Sequence, residues 1–447
     1  MKIFRFVAPR LAIALAWLSV APAASAQEAS ATPTPRLPIE RFTLANGLDV
    51  VVSTDRSTPL VAVNMRYGVG SAHEPRERSG LAHLLEHLYF GPTEGLGPGE
   101  FERMIRGAGG SFGGRTNTDR TEYTELVPSH HLDRVLWSHA QRMRHLVLGE
   151  DDFRRERELV REERRLGVDA QAHGEARLTL DTLAHDYAPY RRPVIGSPES
   201  LAAVNLGDAR EFHDRWYRPS NATLVLVGDT SLDEVRPQLE RHFGDLAAGG
   251  GAPPLAAPPS GPRTDGERRA DLVDPRAVRS LVYVAWSMPP AGHPDEWTLR
   301  LLHEILAGED GASRLRRAFA RRDGAGEAQA GIGTQVVGQF EVRAGPGLFV
   351  LGALADPGVE TAEVEVAIHE EILRLVTGGP DPAELRGAAR RLRVARAAEL
   401  LTAAGRAAAI QDAIAIGSDP EEIGAGIARI GEVDPAARQL LVGAGVT

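Results

Sequence analysis

Cysteine is absent from this 447-residue chain, and lysine occurs once, as Lys2. The first absence excludes a disulfide scaffold, a thiol nucleophile and thiolate ligation, so any metal must be held by histidine and carboxylate. The second leaves arginine as the basic side chain everywhere else; beside the many Ala, Gly and Pro residues it reads as coding bias, without functional weight. Long apolar runs are missing too. Nothing after the first 26 residues is long and apolar enough to span a membrane. A formal net charge of −10 argues against nucleic acid as a partner.

Hydrophobic residues at 43% and charged residues at 25% are the balance of a globular protein. At roughly 100–200 residues per domain, the length predicts two domains. Residues 1–26 read as an export signal: Lys2, Arg5 and Arg10 precede an apolar run at 11–20, and Ala24-Ser25-Ala26 offers a cleavage site. The run is too short for the roughly 20 residues of a membrane anchor. Export to the periplasm is the expectation. Residues 27–38 form a predicted flexible lead-in and 39–246 a first domain. Residues 247–266, with Gly249-Gly250-Gly251, Pro253-Pro254 and Pro258-Pro259, read as a linker to a second domain at 267–447.

Order is predicted to begin with a hairpin, because Asn46-Gly47 separates two apolar strands. A further strand at 60–67 precedes a loop and an amphipathic helix ending at Gly91. The second half repeats this plan, with a strand at 280–286 and a helix ending at Gly308. Aligning the two glycines places Arg300, His303 and Glu304 opposite His83, Glu86 and His87. One half carries a candidate site and the other a degenerate copy.

His83-Leu84-Leu85-Glu86-His87 is H-x-x-E-H, the inverse of the zinc motif H-E-x-x-H. Its helix is predicted to start at Ser79 as N-cap. Leu81, Leu84, Leu85 and Leu88 then form one stripe, and His83, Glu86, His87 and Phe90 another. Imidazoles at i and i+4 can reach one ion, and the carboxylate between them can take a proton from a water there. Without further support the same pattern also suits a solvated His/Glu cluster. A third ligand is sought on the charged helix predicted at 151–166, where Glu156, Leu159, Val160 and Glu163 share the only apolar stripe. A carboxylate on such a stripe needs a partner. Glu163 is preferred as ligand and Glu156 as an outer carboxylate that orients it or a histidine. Elsewhere, His185, His213 and His242 lie in polar contexts and read as surface residues.

Here a resemblance emerges. The H-x-x-E-H pattern and Glu156-Arg157-Glu158-Leu159-Val160-Arg161-Glu162-Glu163 resemble the pitrilysin/insulinase family of zinc metallopeptidases. So do Gly109-Gly110, Asp119-Arg120-Thr121-Glu122-Tyr123, Pro193-Val194-Ile195-Gly196 and Trp216-Tyr217-Arg218-Pro219-Ser220-Asn221-Ala222. The resemblance implies an α+β protein of two related α/β-roll domains, each a mainly antiparallel sheet packed with helices. It implies one zinc ion per chain on His83, His87 and Glu163, with Glu86 as general base. It also implies an edge strand within 109–128, including Gly110, Ser111, Phe112 and Gly113, to which unfolded or short peptides add through backbone hydrogen bonds.

Three departures qualify this. Gly113 stands where the family usually has an asparagine, a loss that Asn117 could make good. After Ser313-Arg314-Leu315, related homodimers carry an arginine and a tyrosine; Ala320 and Glu327 stand there, and no tyrosine follows Tyr283. Arg321 or Arg322 could replace the arginine. The expectation is therefore a heterodimer, not a homodimer, whose related partner supplies both groups. The cluster Arg314, Arg316, Arg317, Arg321, Arg322 either faces that partner or is a solvated helix face. Finally, relatives close with a strand, whereas 438–447 reads as a helix tail and a glycine-containing end. The alternative functions are a catalytically idle structural or substrate-binding subunit, and a metal-binding protein without hydrolysis.

Overall fold

The computed structural model describes residues 37–249, 258, 266–309, 311–320, 333–424 and 430. The predicted export signal, most of the linker, Arg321, Arg322, Glu327 and the stretch 438–447 lie outside the described residues.

The first half is built on a six-stranded sheet. Strand β1 (Glu40–Thr43) turns back into β2 (Asp49–Thr54), followed by β3 (Leu60–Tyr67), β4 (Ser111–Thr116), β5 (Thr121–Pro128) and β6 (Ala222–Gly228). Their spatial order is β1-β2-β6-β3-β5-β4. All pairings are antiparallel except β2 with β6. The Asn46-Gly47 turn is present: Gly47 has φ +89°, and the Asn46 side chain accepts from Leu48 N and donates to Phe243 O.

Strands β2 and β6 read as nearly continuous apolar runs because both faces of the sheet are covered. On one face lie Val50, Val52, Val61, Val63, Met65, Leu224 and Leu226. They pack against α1 (Leu81–Tyr89), α3 (Leu132–His145), α7 (Leu206–Trp216) and α8 (Leu232–Phe243). The helices α2 (Glu100–Gly107), α4 (Glu150–Arg164), α5 (Gly174–Ala184) and α6 (Pro198–Ala203) complete this half.

The second sheet is β7 (Leu281–Met288), β8 (Gly333–Glu341) and β9 (Gly347–Ala355), antiparallel in the order β7-β9-β8. Its core is shared with α9 (Glu296–Ala307), α10 (Arg314–Phe319), α11 (Thr361–Gly378) and α12 (Pro382–Glu399). The following helix, α13 (Ala403–Ala415), crosses back to the first sheet. Its Ala407, Ile410 and Ala413 cover Val51, Ala62, Val225 and Val227 on the face away from α1.

The halves are also joined by polar contacts. Tyr190 donates to Asp119 Oδ1 at 2.8 Å and accepts from Gly345 N at 2.8 Å, while Ala344 N donates to Asp119 Oδ2 at 2.9 Å. Nearby, Arg343 pairs with Asp181, and Arg177 with Gln339 and Glu341. His185 and His213, expected at the surface, are buried, at 3% and 5% exposure. Their polar sequence neighbours lie on the solvent side, while the imidazoles point inward; His213 Nε2 contacts Arg142 O at 3.0 Å. The three described members of the arginine cluster have partners within the chain: Arg314 and Arg317 pair with Glu384, and Arg316 donates to Gly308 O.

Candidate metal centre

The leucine stripe of α1 is buried as its spacing predicts, with Leu81, Leu84, Leu85 and Leu88 at 0–2% exposure. Ser79 does not cap the helix; its hydroxyl donates to Pro193 O. The N-cap is Gly80, at φ +94°, a position where a Cβ would lie 2.7 Å from Leu201 Cδ2 and 3.0 Å from Gly196 Cα. The first-turn amides donate instead to Glu74, whose carboxylate accepts from Gly80 N and, at 2.8 Å, from Ala82 N. A carboxylate at a helix N-terminus also meets the positive end of the helix dipole.

Helix α4 packs against α1 through the buried Val160. Leu159, on the same stripe, is 48% exposed, so that stripe is buried only in part. Glu163 Oε2 lies 3.7 Å from His83 Nε2 and 3.6 Å from His87 Nε2. One ligand atom from each of the three residues falls within 4.8 Å of the others, and they could hold a metal ion. These contacts are long for hydrogen bonds. They resemble the spacing of ligand atoms about a tetrahedral ion, roughly 3.4 Å for bonds of about 2.1 Å. Two nitrogens and one carboxylate oxygen also fit the donor set of a catalytic zinc site, which keeps a position open. Glu156 stands 3.6 Å from the other nitrogen of His87, Nδ1. Glu162, by contrast, turns away and pairs with Arg165.

Electrostatics separate the two histidines. Burial, with His87 beside it, lowers His83 to about 4, which keeps the ring neutral. For His87 burial works against the cation, yet Glu156, Glu163 and Glu86 together hold it above its usual value. Burial raises the Glu86 carboxyl, opposed by a hydrogen bond from the Thr116 hydroxyl to Oε2.

Thr116 ends β4, the edge strand, which pairs only with β5 among the described residues. Ser111, Phe112 and Gly113 lie on this strand and Gly110 just before it. A Cβ at Gly113 would meet only Thr124 Oγ1, at 3.8 Å, so the missing side chain leaves open space. Asn117 sits in the β4–β5 turn, where its Oδ1 accepts from Asp119 N and Arg120 N. That oxygen serves the turn.

Sequence reasoning missed three contributors. Thr116 and Gly114 meet Glu86 through strand alternation, legible only once the register is known. Glu74 acts across a loop. A buried polar group behind α1 was also missed: His139 bridges Glu125 and the Tyr89 hydroxyl, while Arg142 Nε donates to Tyr89 O at 2.6 Å. Its signal was two polar residues on the apolar face of α3.

Among the described residues, the second half repeats the strand-and-helix plan without a second His/Glu group that could hold a metal. His303 lies over Gly338 of β8 as Glu86 lies over Gly114 of β4. Glu304, opposite His87 in the repeat, pairs with Arg391 of α12 at 2.6 Å. An arginine there supplies charge but no lone pair.

Comparison with known proteins agrees. The model of the insulinase family (peptidase family M16) matches residues 49–194, and that of the peptidase M16 inactive domain matches 203–392. The zinc protease PqqE of Helicobacter pylori is 34% identical over 281 residues, covering 62% of this chain and 62% of that one. This chain therefore spans a little under two thirds of that relative's length. The crystal structure of a protease from Helicobacter pylori superposes with a TM-score of 0.82 at 25% identity, covering 91% of this chain and 96% of that one. The periplasmic protease PqqL from Escherichia coli shares the fold, with a TM-score of 0.68 at 17% identity over 90% of this chain and 46% of that one. Matched by one model across the half with the ligand group and by the inactive-domain model across most of the remainder, the chain belongs to the insulinase family, peptidase family M16.

Proposed function

We propose that this chain is a zinc-dependent endopeptidase acting on short or unfolded peptides. The observation that carries the reading is the convergence of His83, His87 and Glu163 beside Glu86. His83, His87 and Glu163 would hold one zinc ion. When bound, zinc acidifies a water and polarises the scissile carbonyl. Glu156, facing Nδ1 of His87, favours the tautomer with its proton on that nitrogen and leaves Nε2 free to ligate. The Thr116 hydroxyl holds Glu86 Oε2. Oε1 is then the atom that takes a proton from water and returns it to the leaving amine. The edge of β4, unpaired among the described residues, offers the backbone groups of Ser111, Phe112 and Gly113 to an extended peptide.

The proposal extends to a heterodimer in which a related chain supplies the missing arginine and tyrosine. Its support is Ala320, where related homodimers carry the arginine. A periplasmic site of action is supported by the signal-like residues 1–26 and by the fold shared with a periplasmic protease.

One experiment tests these readings: zinc content and peptide cleavage of the purified chain, wild type and Glu86→Gln. The variant is expected to keep its zinc and lose cleavage by orders of magnitude. Unchanged cleavage removes Glu86 from the chemistry. Full activity of the wild-type chain alone, unaltered by a related chain, removes the partner.

A further inference from the structure

Strand β4 carries a cation whose position relative to Glu86 is fixed from both sides. Gly114 lies under Glu86, and Thr116 donates to it, so these two residues face α1. Arg115 lies between them and points to the opposite face of the sheet. On that face the ladder places Arg66 of β3 opposite Glu122 of β5, and Glu122 opposite Arg115. The row reads plus, minus, plus, and ends at the open edge.

Glu122 is already engaged by Arg120, which also pairs with Asp412 of α13. Arg66 donates to Gln411 O and Thr223 Oγ1 at the covered end of the row. Of the three arginines around Glu122, Arg120 is the one ion-paired to it. Arg115 is the exposed one, with no hydrogen bond or ion pair to any described residue.

We propose that Arg115 sets a preference for an acidic side chain, Asp or Glu, in the substrate residue that faces it, beside the scissile bond. The inference rests on the reading that peptide adds to β4. An added strand, in either direction, places one side chain directly beside Arg115 on the same face, with its two neighbours turned toward Glu86. An acid at that place continues the alternation of charge along the row. A lysine or arginine there meets a like charge directly opposite, which is unfavourable.

The test uses the zinc-loaded full chain, with its partner chain if one is needed for activity. The substrates are three ten-residue peptides identical except for Glu, Gln or Lys at one position, and cut sites are mapped by mass spectrometry. For cuts adjacent to the varied position, kcat/KM is expected to favour Glu over Lys by about threefold or more in the wild type. In Arg115→Glu the order is expected to reverse. An equal Glu-to-Lys ratio in wild type and variant, with all peptides cleaved, overturns the role of Arg115 and leaves the peptidase reading standing. No cleavage of any peptide by the wild type overturns that reading and this inference with it.

Discussion

The carboxylate of Glu86 rests directly on Gly114: a Cβ at position 114 would lie 2.6 Å from Oε1 and 2.8 Å from Cγ. The glycine is required by closeness to a neighbour, since its backbone is ordinary strand. Gly114→Ala is therefore expected to push Glu86 out of line. Misplacement of a catalytic group by about 1 Å can cost on the order of 100-fold in rate. Assayed as kcat/KM beside zinc content, the variant should lose 10- to 100-fold in activity with metal retained. Wild-type activity would show that the side chain finds another route to the same place.

Glu156 faces the nitrogen of His87 that points away from Glu163. Removing such a partner costs about 10- to 100-fold in metal affinity. Glu156→Gln should weaken zinc binding by that factor in competition with a chelator. A dissociation constant equal to wild type would reduce Glu156 to a surface acid paired with Arg155.

His185 should make the fold acid-sensitive. Burial, with Arg343 nearby, holds its imidazole at about 3, against about 6.5 when unfolded. A depressed histidine contributes stability that is complete above the unfolded value and is lost as pH falls from about 6.5 toward 3. By linkage the loss is about 2 kcal/mol at pH 5 relative to pH 8. His185→Asn should flatten the decline over that interval in chemical denaturation. Identical slopes for both proteins would place the sensitivity elsewhere.

The second half is expected to bind no metal. Glu304 is neutralised by Arg391, and the half-buried His303 ring lies over Gly338. Zinc analysis should give one ion per chain, unaltered in His303→Ala and reduced to a trace in His83→Ala.

What the sequence discloses follows the range of the interactions. His83, Glu86 and His87 are legible because one helix turn sets their relation, and Glu163 because its own helix sets it beside Val160. The Asn46-Gly47 turn is legible for the same local reason. The N-terminal support of α1 is not: Ser79 has the chemistry of a cap, but Glu74 reaches the first-turn amides across a loop. Burial of His185 and His213 depends on neighbours far along the chain. The docking of α13 is likewise hidden, because Ile410 meets partners such as Val51 and Ala62, more than 340 positions away in sequence.

That last contact bears on how the chain can be divided. A fragment ending at residue 249 would keep His83, Glu86, His87 and Glu163. It would also lose Ala407, Ile410 and Ala413, exposing Val51, Ala62, Val225 and Val227 to water. Such a surface drives aggregation. The half that holds the candidate site thus takes part of the cover of its sheet from a helix that follows the second sheet.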